Sequence, residues 1–137
     1  MPLEPALAGR TFVSPAPYTV SREKIADFCG AVGADPIDGG ETAPVTFPIV
    51  VAFAAMTQLI NDPDIGIQLH NVVHGEQRFD QARPIRAGDE LTATLTVDSV
   101  RTAAGMDMIA TRTEVATTAG EQVSTAHALL LHRGGGT

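Results

Sequence analysis

The sequence predicts an α+β fold in which an antiparallel sheet curls around one central buried helix. Three observations carry this expectation. The run Phe47 to Ile60 is apolar nearly all round, with Thr57 and Gln58 as its first polar side chains. A helix with no polar face is a buried helix. From residue 72 onward the hydrophobic period drops to two, the signature of strands with one buried face. Turn residues at 83–89, 103–105 and 118–121 divide this half into about four strands in an antiparallel meander. A sheet wrapped around the helix supplies the cover it needs.

Each element has its own signal. Pro2, Pro5, Pro15 and Pro17 make residues 1–19 an extended lead-in. Ser21 is the expected N-cap of a first helix, although Lys24 stands where a capping box would place Glu. Ile25, Phe28, Cys29 and Val32 share one face of that helix, and Gly33 ends it. Gly33, Pro36, Gly39, Gly40 and Pro44 make 33–46 a loop. Thr46 is the expected N-cap of the apolar helix, with Pro48 in its first turn. Asn61-Asp62-Pro63-Asp64 stops it. The first strand is expected at 72–80. Leu91, Ala93, Leu95 and Val97 then alternate with Thr92, Thr94, Thr96 and Asp98. Two further strands, Met106 to Val115 and Gln122 to His132, follow.

Length and composition bound the function. A chain of 137 residues is one domain, 1–137, with 1–9 and 133–137 expected as flexible tails. The net charge of −7 argues against nucleic acid, which demands clustered Lys and Arg, and gives no pull toward anionic lipid. The longest apolar stretch, Phe47 to Met56, is too short to span a bilayer. Cys29 is the only cysteine, so no intrachain disulfide can form, and a reducing cytoplasm is the expected compartment. No signal peptide is visible in residues 1–10.

Several segments resemble one family. Val20-Ser21-Arg22-Glu23-Lys24-Ile25 opens the first helix and Ala43-Pro44-Val45-Thr46-Phe47 the second. Val73-His74-Gly75-Glu76-Gln77-Arg78-Phe79 forms the next strand and Arg83-Pro84-Ile85-Arg86-Ala87-Gly88-Asp89 the turn after it. Together they are similar to the MaoC-like (R)-specific hydratases and dehydratases, which have the hot-dog fold. The closer likeness is to the N-terminal-half type related to subunits of (3R)-hydroxyacyl-carrier-protein dehydratases. The resemblance implies a hot-dog dimer acting on an acyl-CoA or acyl-carrier-protein thioester, without metal or other cofactor. The N-terminal-half type carries no catalytic dyad and pairs with a second hot-dog subunit that supplies Asp and His.

The candidate site follows from how this chain departs from that pattern. The family signature is an aromatic, small residues, then Gly-Asp-x-Asn-Pro-Ile-His. Here Phe28 to Asp38 is one residue short, and Asp38 stands in place of the His. The connection to Ala43-Pro44 is also cut to little more than Gly39-Gly40-Glu41-Thr42. Asp35 and Asp38 are the degenerate motif positions. Two aspartates three apart on a Pro-Gly loop more often make turn hydrogen bonds than acid/base pairs. Val45, Thr46 and Phe47 are expected to offer backbone N–H groups to a thioester carbonyl at the helix start. His74 is the best-placed titratable side chain for substrate binding. His70 lies four residues before it, but no third ligand is evident for a metal. His127 and His132 fall on opposite strand faces. Met56, Met106 and Met108 suit either a core or a soft acyl groove.

The expected function is a subunit of a (3R)-hydroxyacyl thioester dehydratase. It lacks its own catalytic Asp and His and works as a homodimer or with a catalytic hot-dog partner. The alternatives are a self-sufficient hydratase or thioesterase using another carboxylate, and a non-enzymatic acyl-binding or scaffold module.

Overall fold

The computed structural model describes residue 3 and residues 5–133. Two helices, α1 (Arg22–Val32) and α2 (Ile49–Ile60), accompany six strands. These are β1 (Thr11–Val13), β2 (Tyr18–Thr19), β3 (Val72–Gln81), β4 (Glu90–Ala103), β5 (Met106–Thr117) and β6 (Gln122–Arg133). All pairings are antiparallel, in the order β1-β4-β5-β6-β3, with β2 joining β4 beside β1.

This order corrects the expected meander. Only β4, β5 and β6 follow one another in space; β3 crosses to the far edge and pairs with β6. The reason lies in residues 82–89, which form a broad turn instead of a hairpin. The Ala82 and Arg83 N–H groups donate to the Val123 carbonyl, and the Ala43 N–H donates to Ile85. The Arg83 guanidinium closes the turn with two bonds to Asp89, at 2.9 and 3.2 Å. The sheet also gains two short strands from the extended lead-in. Leu3 and Leu7, within the expected tail 1–9, are buried in the core, and the Gly9 N–H donates to Val97 at 2.7 Å. Residue 133 of the expected C-terminal tail ends β6, and residues 134–137 lie outside the described residues.

Period-two alternation builds the inner face. Leu91, Ala93, Leu95 and Val97 of β4 are fully buried, as are Ile109 and Val115 of β5 and Leu130 of β6. A residue of β6, Val123, is extra relative to β5, which is why Val123 and Ser124 are both buried. Each fully buried Leu, Ile or Val contributes about 1.5–3 kcal/mol. An exposed ion pair such as Arg78–Asp80 contributes about 0–1 kcal/mol. The core therefore dominates the stability of the sheet.

Helix α1 begins as expected: the Lys24 N–H donates to the Ser21 hydroxyl at 3.0 Å. Gly33, at φ 72°, caps its C-terminus by donating to the Cys29 carbonyl. That left-handed conformation is the reason for a glycine there.

Helix α2 departs from expectation twice. It begins at Ile49 with Pro48 as N-cap, not at Phe47 with Thr46. Turns precede it, because the Phe47 N–H donates to Pro44 and the Ile49 N–H to Thr46. They drive the Phe47 ring into the core, edge-on to Phe28 at 5.3 Å. Nor is α2 covered all round. Val51, Ala52, Ala55, Met56 and Leu59 face β4, β1 and β5. Phe53 remains 48% exposed, and Thr57 and Gln58 are exposed beside it. The helix thus sits over one half of the sheet and leaves the inner face of β3 uncovered.

Candidate functional site

That offset creates a cleft of about 790 Å³ between the exposed flank of α2 and the inner face of β3. Phe28 and Val32 of α1 close one side, and Thr46, Ile49 and Phe53 line the helix side. His74, Gln77 and Phe79 line the strand side. A β-bulge arranges these three. Gly75 has no partner on β6, so His74 opposite Leu130 and Gln77 opposite Ala128 point the same way although three residues apart. The His74 Nε2 and the Gln77 Oε1 lie 2.7 Å apart, so the imidazole donates and the amide oxygen accepts. The Phe53 ring meets His74 edge-on at 6.4 Å. The result is an apolar trough with one polar pair on its wall.

The motif positions lie elsewhere. Asp35 and Asp38 are exposed and neither lines the cleft. Asp38 sits at φ 50° and accepts the Thr42 hydroxyl proton at 2.9 Å, the turn role of an aspartate. Val45, Thr46 and Phe47 are split. Thr46 lines the cleft and Val45 is 50% exposed near the helix start, but Phe47 is buried with its N–H bonded to Pro44. Two of the three expected amides, those of Val45 and Thr46, have no hydrogen-bond partner among the described residues. His70 lies exposed in a turn before β3. Met56 is buried, while Met106 and Met108 are half-buried, and none lines the cleft.

Two titratable residues, His74 and Glu76, touch the cleft. They are on opposite faces of β3: His74 faces inward with Leu130, and Glu76 pairs with Leu129 and faces out. The arrangement can bind an apolar chain and offer it a hydrogen bond. It does not bring a carboxylate and an imidazole to one substrate atom.

The sequence reading missed a second cluster. His132 and Asp107 are both 1% exposed and bond at 3.1 Å through Nδ1 and Oδ2. Asp107 also accepts the Thr102 hydroxyl at 2.7 Å and the Leu3 N–H at 3.3 Å. Burial pushes the Asp107 carboxyl up, but the hydrogen bonds from His132, Thr102 and Leu3 outweigh it and hold the group below the usual carboxylate range. Asp89 behaves alike: burial raises it, and the bonds from the Arg83 guanidinium and the Arg86 N–H lower it further. The expected separation of His127 and His132 holds, since His127 is half-exposed and 3.2 Å from Asp80 on the outer face.

Comparison with known proteins identifies this arrangement. The family model of the FAS1-like dehydratase domain region matches residues 39–126. A UPF0336 protein of Clavibacter michiganensis is 44% identical over 146 positions, covering 98% of each chain. Those 146 positions exceed the 137 residues of this chain, so the relative carries residues that are absent here. A UPF0336 protein of Streptomyces coelicolor is 42% identical over 97% of each chain. Among solved structures, the HadBC (3R-hydroxyacyl-ACP dehydratase) complex of Mycobacterium tuberculosis superposes with a TM-score of 0.79 and 28% identity. The match covers 91% of this chain and 96% of that one. A MaoC-like dehydratase superposes at 0.75 with 28% identity over 95% of this chain and 43% of its own. The fold is the hot-dog fold, and the chain belongs to the FAS1-like dehydratase-region family, as a MaoC-like protein of the UPF0336 group.

Proposed function

We propose that this chain is a subunit of a (3R)-hydroxyacyl thioester dehydratase that holds the acyl tail while a catalytic hot-dog partner supplies Asp and His. The reaction removes an α-proton and the 3-hydroxyl as water, leaving a trans-2-enoyl thioester. That chemistry needs a base and an acid aimed at adjacent carbons. The observation that carries the reading is the cleft: it is largely apolar, lies against the edge strand β3, and holds no such pair among the described residues. Phe53, Ile49, Val32 and Phe79 suit an alkyl chain, and His74 with Gln77 suits a polar group at its end. The likeness to HadBC over nearly the whole of both chains supports the substrate class and the need for a second hot-dog subunit. Asp38, occupied by Thr42, speaks against a self-sufficient enzyme.

The partner edge is β3. Among the described residues it has no strand on its outer side, it carries no proline, and Val73 on it is 61% exposed. Open edges are normally paired or blunted. Either a second copy or a catalytic subunit would extend the sheet there.

The test is titration of the pure chain with saturated acyl-CoA thioesters of increasing chain length, followed by calorimetry. We expect affinity to rise with chain length and to be lost in Phe53→Asp but retained in Asp38→Asn. Affinity independent of chain length would refute the acyl-binding role and leave a scaffold.

A further inference from the structure

The buried His132–Asp107 cluster lies outside the cleft, and its hydrogen-bond inventory constrains protonation. Five segments meet there. Leu3 comes from the N-terminal segment, Gln68 from the crossover between α2 and β3, Thr102 from β4, Asp107 from β5 and His132 from β6. The Gln68 N–H donates to His132 Nε2 at 3.1 Å. A backbone N–H can only donate, so Nε2 must carry no proton, and Nδ1–H must point at Asp107. The ring is therefore neutral in this arrangement. Protonation would set an Nε2–H against the Gln68 N–H, two donors facing each other in a buried site.

On β3 the residue opposite the ring is Val72, and Thr102 of β4 reaches Asp107, not the ring. Asp107 is the one charged group in ion-pair contact with it among the described residues.

Gln68 is also where β3 takes its start. It caps the turn Leu69–Asn71, its carbonyl accepts the Asn71 N–H at 2.8 Å, and its side-chain oxygen accepts the Asn71 amide at 2.9 Å. Val72, the first residue of β3, follows directly. Loss of the Gln68–His132 bond therefore loosens the turn from which β3 springs.

We propose that His132 is a proton-sensitive latch on the α2–β3 crossover. Neutral, it holds the Gln68 amide against the sheet. Protonated, it keeps Asp107 and lets that amide go. An effect on partner pairing rests on the reading of β3 as the partner edge; the latch itself does not.

Nitrogen-15 NMR of the intact chain across pH tests the latch. We expect Nδ1 protonated and Nε2 bare at neutral pH. As His132 gains its second proton, exchange protection of the Gln68 amide should fall about five- to tenfold, the loss of one ordinary hydrogen bond. The Thr113 amide, in the middle of β5, should not change across the same step. In Asp107→Asn, Gln68 release should still coincide with the protonation step of His132. An Nε2–H tautomer at neutral pH, or Gln68 protection indifferent to His132 protonation, would overturn the proposal. The wild-type titration decides the matter even if Asp107→Asn does not fold. Light scattering on the same samples reads pairing separately, so a failure there would count against the β3 edge and not against the latch.

Discussion

The Leu3 backbone N–H, the Thr102 hydroxyl and the His132 ring N–H converge on Asp107, and replacing it leaves the Leu3 and His132 donors buried without an acceptor. Leaving a buried donor without an acceptor costs about 1–3 kcal/mol each. Asp107→Ala should therefore lower stability by about that much in urea unfolding; a change within 1 kcal/mol, roughly that of an ordinary surface substitution, would mean the cluster is not formed. Asp89 allows a test by pH. Its folded carboxyl lies below the ordinary value of 3.8, so the Arg83–Asp89 contribution is complete above that pH and is lost as pH falls through the folded value. Asp89→Asn should lower stability at neutral pH by about 1–3 kcal/mol, the worth of charged hydrogen bonds. It should also flatten the acid limb of the stability curve. An acid limb as steep as that of the wild type would contradict this assignment. Asp107 and His132 were legible in principle. Both fall in the inward phase of their strands, in line with Ile109 and Leu130, and a charged residue at a core phase demands a buried partner. Which residue answered it depended on β5–β6 register, which the sequence does not reveal.

At the scale of elements, the helix caps and the strand alternation could be read directly, because Ser21, Gly33 and the Leu91–Val97 repeat act through local geometry. The crossover of β3 could not, since it depends on how residues 82–89 bond to Val123 and Ala43. The offset of α2 was hidden too. Phe53 looks like core by composition, yet it is half-exposed because the helix leans toward β4. The β4–β5 turn offers a stability test. Ala104 and Gly105 both have positive φ, at 52° and 79°, in a two-residue hairpin connection. Asn tolerates that conformation better than Ala, so Ala104→Asn should stabilise the protein by up to about 1 kcal/mol. A fall in melting temperature would show that the turn is not of this type. Phe53→Asp, on the exposed flank of α2, should leave folding stability within about 0.5 kcal/mol. A large destabilisation there would mean that Phe53 is core after all and that the cleft is closed in solution.

For the whole molecule, the fold and family were written in the resemblance of a few segments, while the site was marked mainly by what it lacks. The missing His at position 38 and the shortened 39–42 connection are departures visible in the sequence. The cleft needed the three-dimensional offset of helix and sheet, and His74 reached it only through the bulge at Gly75. In the proposed role the chain shapes a substrate channel and a partner performs the chemistry. Hydration of crotonyl-CoA is the decisive assay, measured for the pure chain and for the chain mixed with a hot-dog subunit that carries an Asp/His pair. No turnover above background is expected from the chain alone. With the partner, activity on long acyl substrates is expected, and Phe53→Asp should abolish it. Robust hydration by the isolated chain, abolished by Asp38→Asn, would rule out the noncatalytic role and establish a self-sufficient enzyme.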